Sequence, residues 1–399
     1  MTALNPHRDG GVVDTGALTA PFASLAEPEA RALLEDVYGR TGALVRFATE
    51  KDDTFRVDAA DGRFVLKVAN PAETAEELDF QVELMRNAAA ADPGLPLPRV
   101  GLQERRRDRL PADHEVLAVV GGRPLALVDS RTSVAAGLLF DEVTDAAGQV
   151  RGIRLMAYLE GTPLDRTQTS PAEREKVGEV LARLRLATAG FTHPGDARVL
   201  AWGVRHVLGL APLLDGVDDP ARREALEAAL ERLRGLWPQI KELRTQVLHN
   251  DFSLSNLVVA HEDPAFVTGV IDFGDAVRTA VAVDVSTALL NQLPRDAAER
   301  PPDDLLAAGR DVLRGYLRFA DLTEQELALI PHLVMARVIA RALITIERAR
   351  VFPDNAGYIL RNTEPGWGRL AWFMARTVDE ISGLLPPSRS HLEPGGPAR

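Results

Sequence analysis

A chain of 399 residues, 46% hydrophobic and 26% charged, is long enough to bury a substantial core in two lobes and has no bias toward wholesale disorder. A formal net charge of −12 with no long Lys/Arg run argues against general attraction to nucleic-acid phosphates, while a cationic or zwitterionic small partner is compatible with it. With no cysteine, disulfides, thiolate catalysis and Cys-type zinc or Fe–S centres are excluded, and a reducing, cytoplasmic setting fits.

Residues 1–21 and 386–399 read as poorly ordered tails. The opening stretch lacks the basic-then-apolar order of a signal peptide, and no later stretch approaches the ~20 uninterrupted apolar residues of a membrane span, so no membrane partner is expected.

In chain order, the pattern predicts a helix at 28–38, where Ala30, Leu33, Leu34 and Val37 recur at helical spacing and Glu27 and Glu29 suit the helix dipole. Strands follow at 44–47, 54–58 and 63–69, the last two joined by the turn-like Ala60, Asp61 and Gly62. After Pro71, Leu78, Val82 and Met85 form one stripe of an amphipathic helix at 75–91. Further strands are expected at 114–119, 125–128 and 153–159, with polar turns at 103–109 and 144–149. Residues 22–160 thus predict a small, mainly antiparallel β lobe with a helix packed on it. Residues 161–385 predict a larger, mainly helical lobe, with helices at 172–189, 222–237, 303–319, 324–350 and 366–385, giving an α+β, bilobal chain.

An island of β character at 246–260 and 267–273 interrupts those helices and carries most of the chemistry. Apolar strands flank a polar loop containing His249, Asn250, Asp251 and Asn256, and a second apolar strand ends at Asp272, Phe273 and Gly274. Phosphoryl transfer asks a protein for positioned groups: a carboxylate to accept the hydroxyl proton, and hard oxygen ligands for Mg²⁺. Asp251 suits the first task, Asn256 and Asp272 the second, and His249 sits where it can brace the loop. Upstream, Lys67 stands within an apolar strand, where an unpaired ammonium is costly to bury. In protein kinases such a lysine pairs with a helix glutamate; here the following helix offers Glu77 and Gln81, on one face at i, i+4.

Taken with Leu78-Asp79-Phe80-Gln81, Leu97-Pro98-Arg99-Val100, the run from Ile153 to Gly161 and Ala201-Trp202, these motifs resemble the aminoglycoside phosphotransferase superfamily. Those small-molecule kinases share the protein-kinase fold, and the similarity is greatest to their hydroxylysine-kinase-like branch, over residues 22 to 290. The resemblance implies that Lys67 contacts nucleotide phosphates, that Asp251 is the catalytic base, and that Asn256 and Asp272 hold Mg²⁺. It further implies that the backbone of Met156, Ala157, Tyr158 and Leu159 forms a hinge for the purine of ATP or GTP. Asp284 resembles the family's structural aspartate after the metal turn, although a helix-start role serves it equally well.

Three positions depart from the family pattern. Asn250 replaces the usual Gly, and Asn is among the residues most tolerant of positive φ. Gln81 replaces the usual helix Glu, so either it hydrogen-bonds Lys67 or Glu77 takes the pairing. No G-x-G-x-x-G precedes Lys67; Asp52, Asp53 and Thr54 stand where a phosphate-covering turn belongs, and their carboxylates would repel phosphate.

The expected acceptor is a small amino-alcohol or hydroxylated amino acid, with an aminoglycoside or homoserine as alternatives. A non-catalytic nucleotide-binding protein is the reading of a different class. Arg337, Arg341, Arg348 and Arg350 are expected to salt-bridge acidic neighbours rather than meet a substrate carboxylate.

Overall fold

The computed structural model describes residues 22–49, 52–100, 116–120, 123–127 and 140–385; the turn expected at 103–109 and both tails lie outside them. Helix α1 (Glu27–Tyr38) leads into a seven-stranded sheet of β1 (Gly42–Arg46), β2 (Asp53–Ala59), β3 (Gly62–Val68), β4 (Val116–Val120), β5 (Arg123–Leu127), β6 (Asp141–Thr144) and β7 (Val150–Ala157). The spatial order is β1-β2-β3-β7-β6-β5-β4, and every neighbouring pair is antiparallel. Side chains alternate across a strand, so Phe64, Leu66 and Val68 of β3 share a face with Ile153 and Leu155 of β7, and pack there against Leu33 and Leu34 of α1.

The opposite face presents Val65 and Lys67 beside Met156 and Arg154. Helix α2 (Ala75–Ala91) lies against this face: a Cβ on Gly152 would come within 2.2 Å of a Leu78 methyl, so the strand is bare there. α2 opens on a capping box, in which Thr74 Oγ1 accepts the Glu77 N–H at 3.2 Å and the Glu77 carboxylate accepts the Thr74 N–H at 2.8 Å.

Asp53 departs from the expectation that it flanks the phosphates. It is buried against Arg151 of β7 at 2.8 Å and accepts the Leu25 N–H at 2.9 Å, while Arg151 also donates to Ala69 O at 2.7 Å. A buried ion pair persists only when hydrogen bonds satisfy its remaining atoms, and here they do. Asp53 is therefore a core charge that fastens β2 to β7.

The rest of the chain is largely helical: α3 (Pro171–Thr188), α4 (Pro220–Lys241), α5 (Val281–Leu290), α6 (Gly309–Tyr316), α7 (Glu324–Val351), α8 (Ala356–Leu360), α9 (Glu364–Met374) and α10 (Val378–Ser382). α3 and α6 cross backbone to backbone, since a Cβ on Gly178 would lie 1.9 Å from Val312 O and one on Gly315 1.8 Å from Glu175 O. α7 is long and apolar enough to cross a membrane, yet 83% of its most apolar window is buried inside the fold, which makes it a core helix. The helix expected at 366–385 is two, because Thr377 begins a new capping box with Glu380. The helix expected at 303–319 shortens to α6. Of α5 only a helix start at Asp284 was weighed, and the 3₁₀ turns at Val204–Gly216 were not anticipated: α5 is buried on all sides and carries no amphipathic period, and Pro212 interrupts the second stretch.

Four strands between α4 and α5, with β8 (Thr162–Pro163) from ahead of α3, form a three-stranded and a two-stranded antiparallel sheet. β10 (Leu257–Val259) pairs with both β11 (Val267–Val270) and β8, and β9 (Thr245–Leu248) pairs with β12 (Val277–Ala280).

Within α7, His332 is fully buried with its Nε2 3.0 Å from Ser382 Oγ, and burial, reinforced by the charge of Arg232, lowers its pKa from 6.5 to about 4. The unfolded chain binds this proton near pH 6.5 and the folded chain does not, so the stabilisation is complete above that value and is lost as pH falls toward 4. His332→Gln is expected to flatten this acid limb, as read from urea unfolding free energies across the interval.

Candidate active site

The polar loop leaves β9 and is gripped at once. The backbone N–H groups of His249 and Asn250 donate to the two carboxylate oxygens of Asp284, at 3.2 and 2.7 Å. Asp284 lies buried in the first turn of α5, so the loop anchor and the helix start are one residue. Burial raises its pKa, opposed by the charge of His249 and by the amide it holds from Asn250. Asn250 takes a φ of 63°, the left-handed turn foreseen for a residue in a glycine's place, and its Nδ2 donates to Asp275 O at 3.1 Å. The Asn250 carbonyl accepts from Nη2 of Arg337 on α7. The same guanidinium donates to Trp202 O at 2.8 Å and Thr287 Oγ1 at 3.1 Å.

Asn256 Nδ2 donates to the Asp251 carboxylate at 2.8 Å and to its carbonyl at 2.9 Å, which turns the amide oxygen of Asn256 away from Asp251. The Ile271 N–H donates to Asn256 O at 2.9 Å, bringing Asn256 and Asp272 together beside the neighbouring ends of β10 and β11. His249 Nε2 is 3.0 Å from Ile271 O, and its ring lies 4.6 Å from that of Phe273, so the histidine ties the loop to the Asp272 turn. Burial and the nearby charge of Asp275 raise the pKa of Asp251, against the pull of Arg337 and His249.

Asp272, half exposed and itself left-handed at φ 62°, accepts from Lys67 Nζ at 3.2 Å, and Lys67 also pairs with Asp52 at 2.8 Å. Burial alone would lower the lysine's pKa; the carboxylates of Asp272 and Asp52 outweigh it and hold it above its ordinary value. This corrects the expected helix partner. Glu77 is committed to its capping box and lies 3.7 Å from Arg198. Gln81 accepts from Arg154 Nη2 at 2.8 Å and donates to Glu73. The reason lies in the register: Arg154 stands opposite Lys67 on β7, and its longer side chain takes the helix residue that the lysine was expected to claim.

At the end of β7 the Ala157 N–H donates to Arg99 O at 3.0 Å and the Tyr158 N–H to Arg63 O at 3.1 Å, while Met156 bridges Val100. The Leu159 N–H has no backbone acceptor among the described residues.

Among the described residues no three His, Cys, Asp or Glu side chains gather to hold a metal. A two-oxygen site of Asp272 and Asn256 nevertheless fits an ion that completes its shell with phosphate oxygens and water. The sequence reading missed Arg154, and it placed Asp52 beside the phosphates and named Arg337 without foreseeing their pairing with Lys67 and with the Asn250 carbonyl. The available signal for the two arginines was a lone charge in an apolar strand or helix, the feature that singled out Lys67.

Residues 45–322 match the profile of the phosphotransferase enzyme family. Over 380 residues the chain is 22% identical to hydroxylysine kinase of Mus musculus, a match covering 89% of this chain and 92% of that protein. Its fold is similar to that of a microcompartment-associated aminopropanol kinase, with a TM-score of 0.60 and 17% identity over 87% of this chain and 97% of the other. An amicoumacin kinase solved with AMP-PNP and Ca²⁺ is also similar, with a TM-score of 0.58 and 13% identity over 91% and 96% of the two chains.

Asp284→Asn leaves one oxygen for two backbone N–H groups and turns a donor toward them. It is expected to cost about 1–3 kcal/mol of stability by urea unfolding.

Proposed function

The chain belongs to the phosphotransferase enzyme family and is a small-molecule kinase acting on a hydroxyl group; we propose that its donor is ATP or GTP with Mg²⁺ and its acceptor a small hydroxylated amine or amino acid. The observation that carries this reading is the 3.2 Å contact of Lys67 with Asp272 across 205 positions of sequence, on the side where His249 joins Asp251 to the same turn.

In this proposal the nucleotide lies between residues 22–160 and 161–385. The amides of Ala157 and Tyr158 are already engaged, which favours the Leu159 N–H as the donor to the purine. Lys67 exchanges Asp52 for the nucleotide phosphates, a cation kept charged by its surroundings. Asp272 and the amide oxygen of Asn256 would hold Mg²⁺, which when bound neutralises charge on the phosphates. Asp251 orients the acceptor hydroxyl. As its oxygen attacks phosphorus in line, the bond from phosphorus to the nucleotide's bridging oxygen breaks and the hydroxyl proton passes to the Asp251 carboxylate. Burial raises that carboxylate's proton affinity, which suits a group that must take the proton.

Asp251→Asn is expected to lower kcat by about 10³-fold with little change in nucleotide KM. A variant as active as the parent would show that another group is the base. Lys67→Met should raise the nucleotide KM, whereas Asp52→Asn, which removes a charge that competes with phosphate for the lysine, should lower it. Nucleotide binding without phosphorylation of any amino-alcohol, hydroxy amino acid or aminoglycoside would mark a non-catalytic binding protein instead.

A further inference from the structure

On α7, otherwise the apolar centre of the fold, Arg337, Arg341 and Thr345 recur every fourth residue and so lie along one face. That face leads from the polar loop, where Arg337 holds the Asn250 carbonyl, to a hollow lined by Leu290, Val338, Arg341, Asn362, Thr363 and Arg369.

The expectation of salt bridges holds for Arg350, which pairs with Glu347 at 3.0 Å, and fails for Arg337 and Arg341. Arg337, Arg341, Arg295 and Arg369 form no ion pair with a carboxylate among the described residues. Three of them are committed to neutral acceptors instead. Arg337 donates to the Trp202 and Asn250 carbonyls and to Thr287 Oγ1. Arg369 donates to Leu293 O at 2.9 Å and Pro294 O at 3.1 Å, and Arg295 to Asn362 Oδ1 at 3.1 Å and Arg361 O at 3.3 Å. The Arg341 guanidinium, half-buried at the hollow, donates to no group among the described residues.

Burial lowers the pKa of Arg341, and the like charges of Arg337 and Arg295 press the same way, with Asp251 the carboxylate that opposes them. Carbonyls satisfy N–H groups but not net charge, so the buried Arg337 and Arg369 and the half-buried Arg341, without a paired acid, leave a field that an anion would relieve. A free guanidinium is also the group best shaped to receive a carboxylate through two parallel hydrogen bonds.

We infer that the hollow is the far end of the acceptor site and that Arg341 receives the acceptor's carboxylate, so that the substrate is a hydroxylated amino acid rather than a simple amino-alcohol. The inference rests on the kinase reading above. The scale agrees: one helical turn, about 6 Å, separates Arg341 from the arginine that holds the residue before Asp251. A hydroxyl and a carboxylate joined through about four or five bonds of ~1.5 Å cover that span. A phosphate would answer the same charge, so the test includes it.

The test measures kcat/KM on matched pairs differing only in the carboxylate, homoserine with 3-amino-1-propanol and 5-hydroxylysine with 1,5-diamino-2-pentanol. The parent, Arg341→Gln and Arg341→Lys are compared, with inorganic phosphate added in a separate arm. The parent is expected to prefer the acid of at least one pair by about 100-fold, Arg341→Gln to collapse that ratio, and Arg341→Lys to restore part of it. Three results would overturn the inference while leaving the kinase reading intact: equal use of both members by the parent, an equal loss on both members in Arg341→Gln, or Arg341-dependent inhibition by phosphate without any preference for the acid. Phosphorylation of no member would remove the acceptor reading and the inference with it.

Discussion

The site depends on one peptide turn held from both ends. Asp284 takes the amides of His249 and Asn250 while Arg337 takes the Asn250 carbonyl, and the residue between these grips sits at a φ of 63°. A left-handed conformation costs a residue with a Cβ roughly 1 kcal/mol or more. Charge-assisted hydrogen bonds to both flanking peptides offset that cost and leave the turn a single arrangement. Because Asp284 belongs to α5 and Arg337 to α7, Asp251 takes its position from the two most buried helices of the larger lobe. His249 carries the same reference across to Asp272, so the proposed base and metal ligand move as a unit.

The side proposed for the nucleotide is organised by two cations rather than one. Lys67 and Arg154 stand side by side in register on β3 and β7, and each must find compensation. Lys67 takes Asp52 and Asp272; Arg154 takes Gln81, whose amide reaches on to Glu73. Burial and the charge of Asp52 raise the pKa of Glu73, while Arg154 and Lys67 hold it down. A neutral residue at 81 is thus compatible with a balanced site, because the negative charge has moved one hydrogen bond further along.

Much of this was legible because it is local. The apolar patterns at 54–58 and 63–69 exposed β2 and β3, the stripe of Leu78, Val82 and Met85 marked α2, and the residue type at 250 sufficed to foresee its backbone conformation. The polar loop and the Asp272 turn were recognisable by their spacing, and the structure brings the turn to Lys67 and ties the loop to it through His249. What escaped notice depends on partners far apart in sequence. The lysine's counter-charges are decided by which residue of β7 stands opposite it, and neither Asp52 nor Arg154 signals that by itself. Asp53, one position from Asp52, points into the core toward Arg151 because strand neighbours face opposite ways. Apart from the helix start weighed at Asp284, α5 stayed hidden because burial on all sides erases the period that reveals a helix.

The Gly178 and Gly315 crossing bears on how the enzyme can move. With main chain touching main chain, α3 and α6 have no layer of side chains between them to slide on or repack. Movement is therefore not taken up between these two helices, which act as one block.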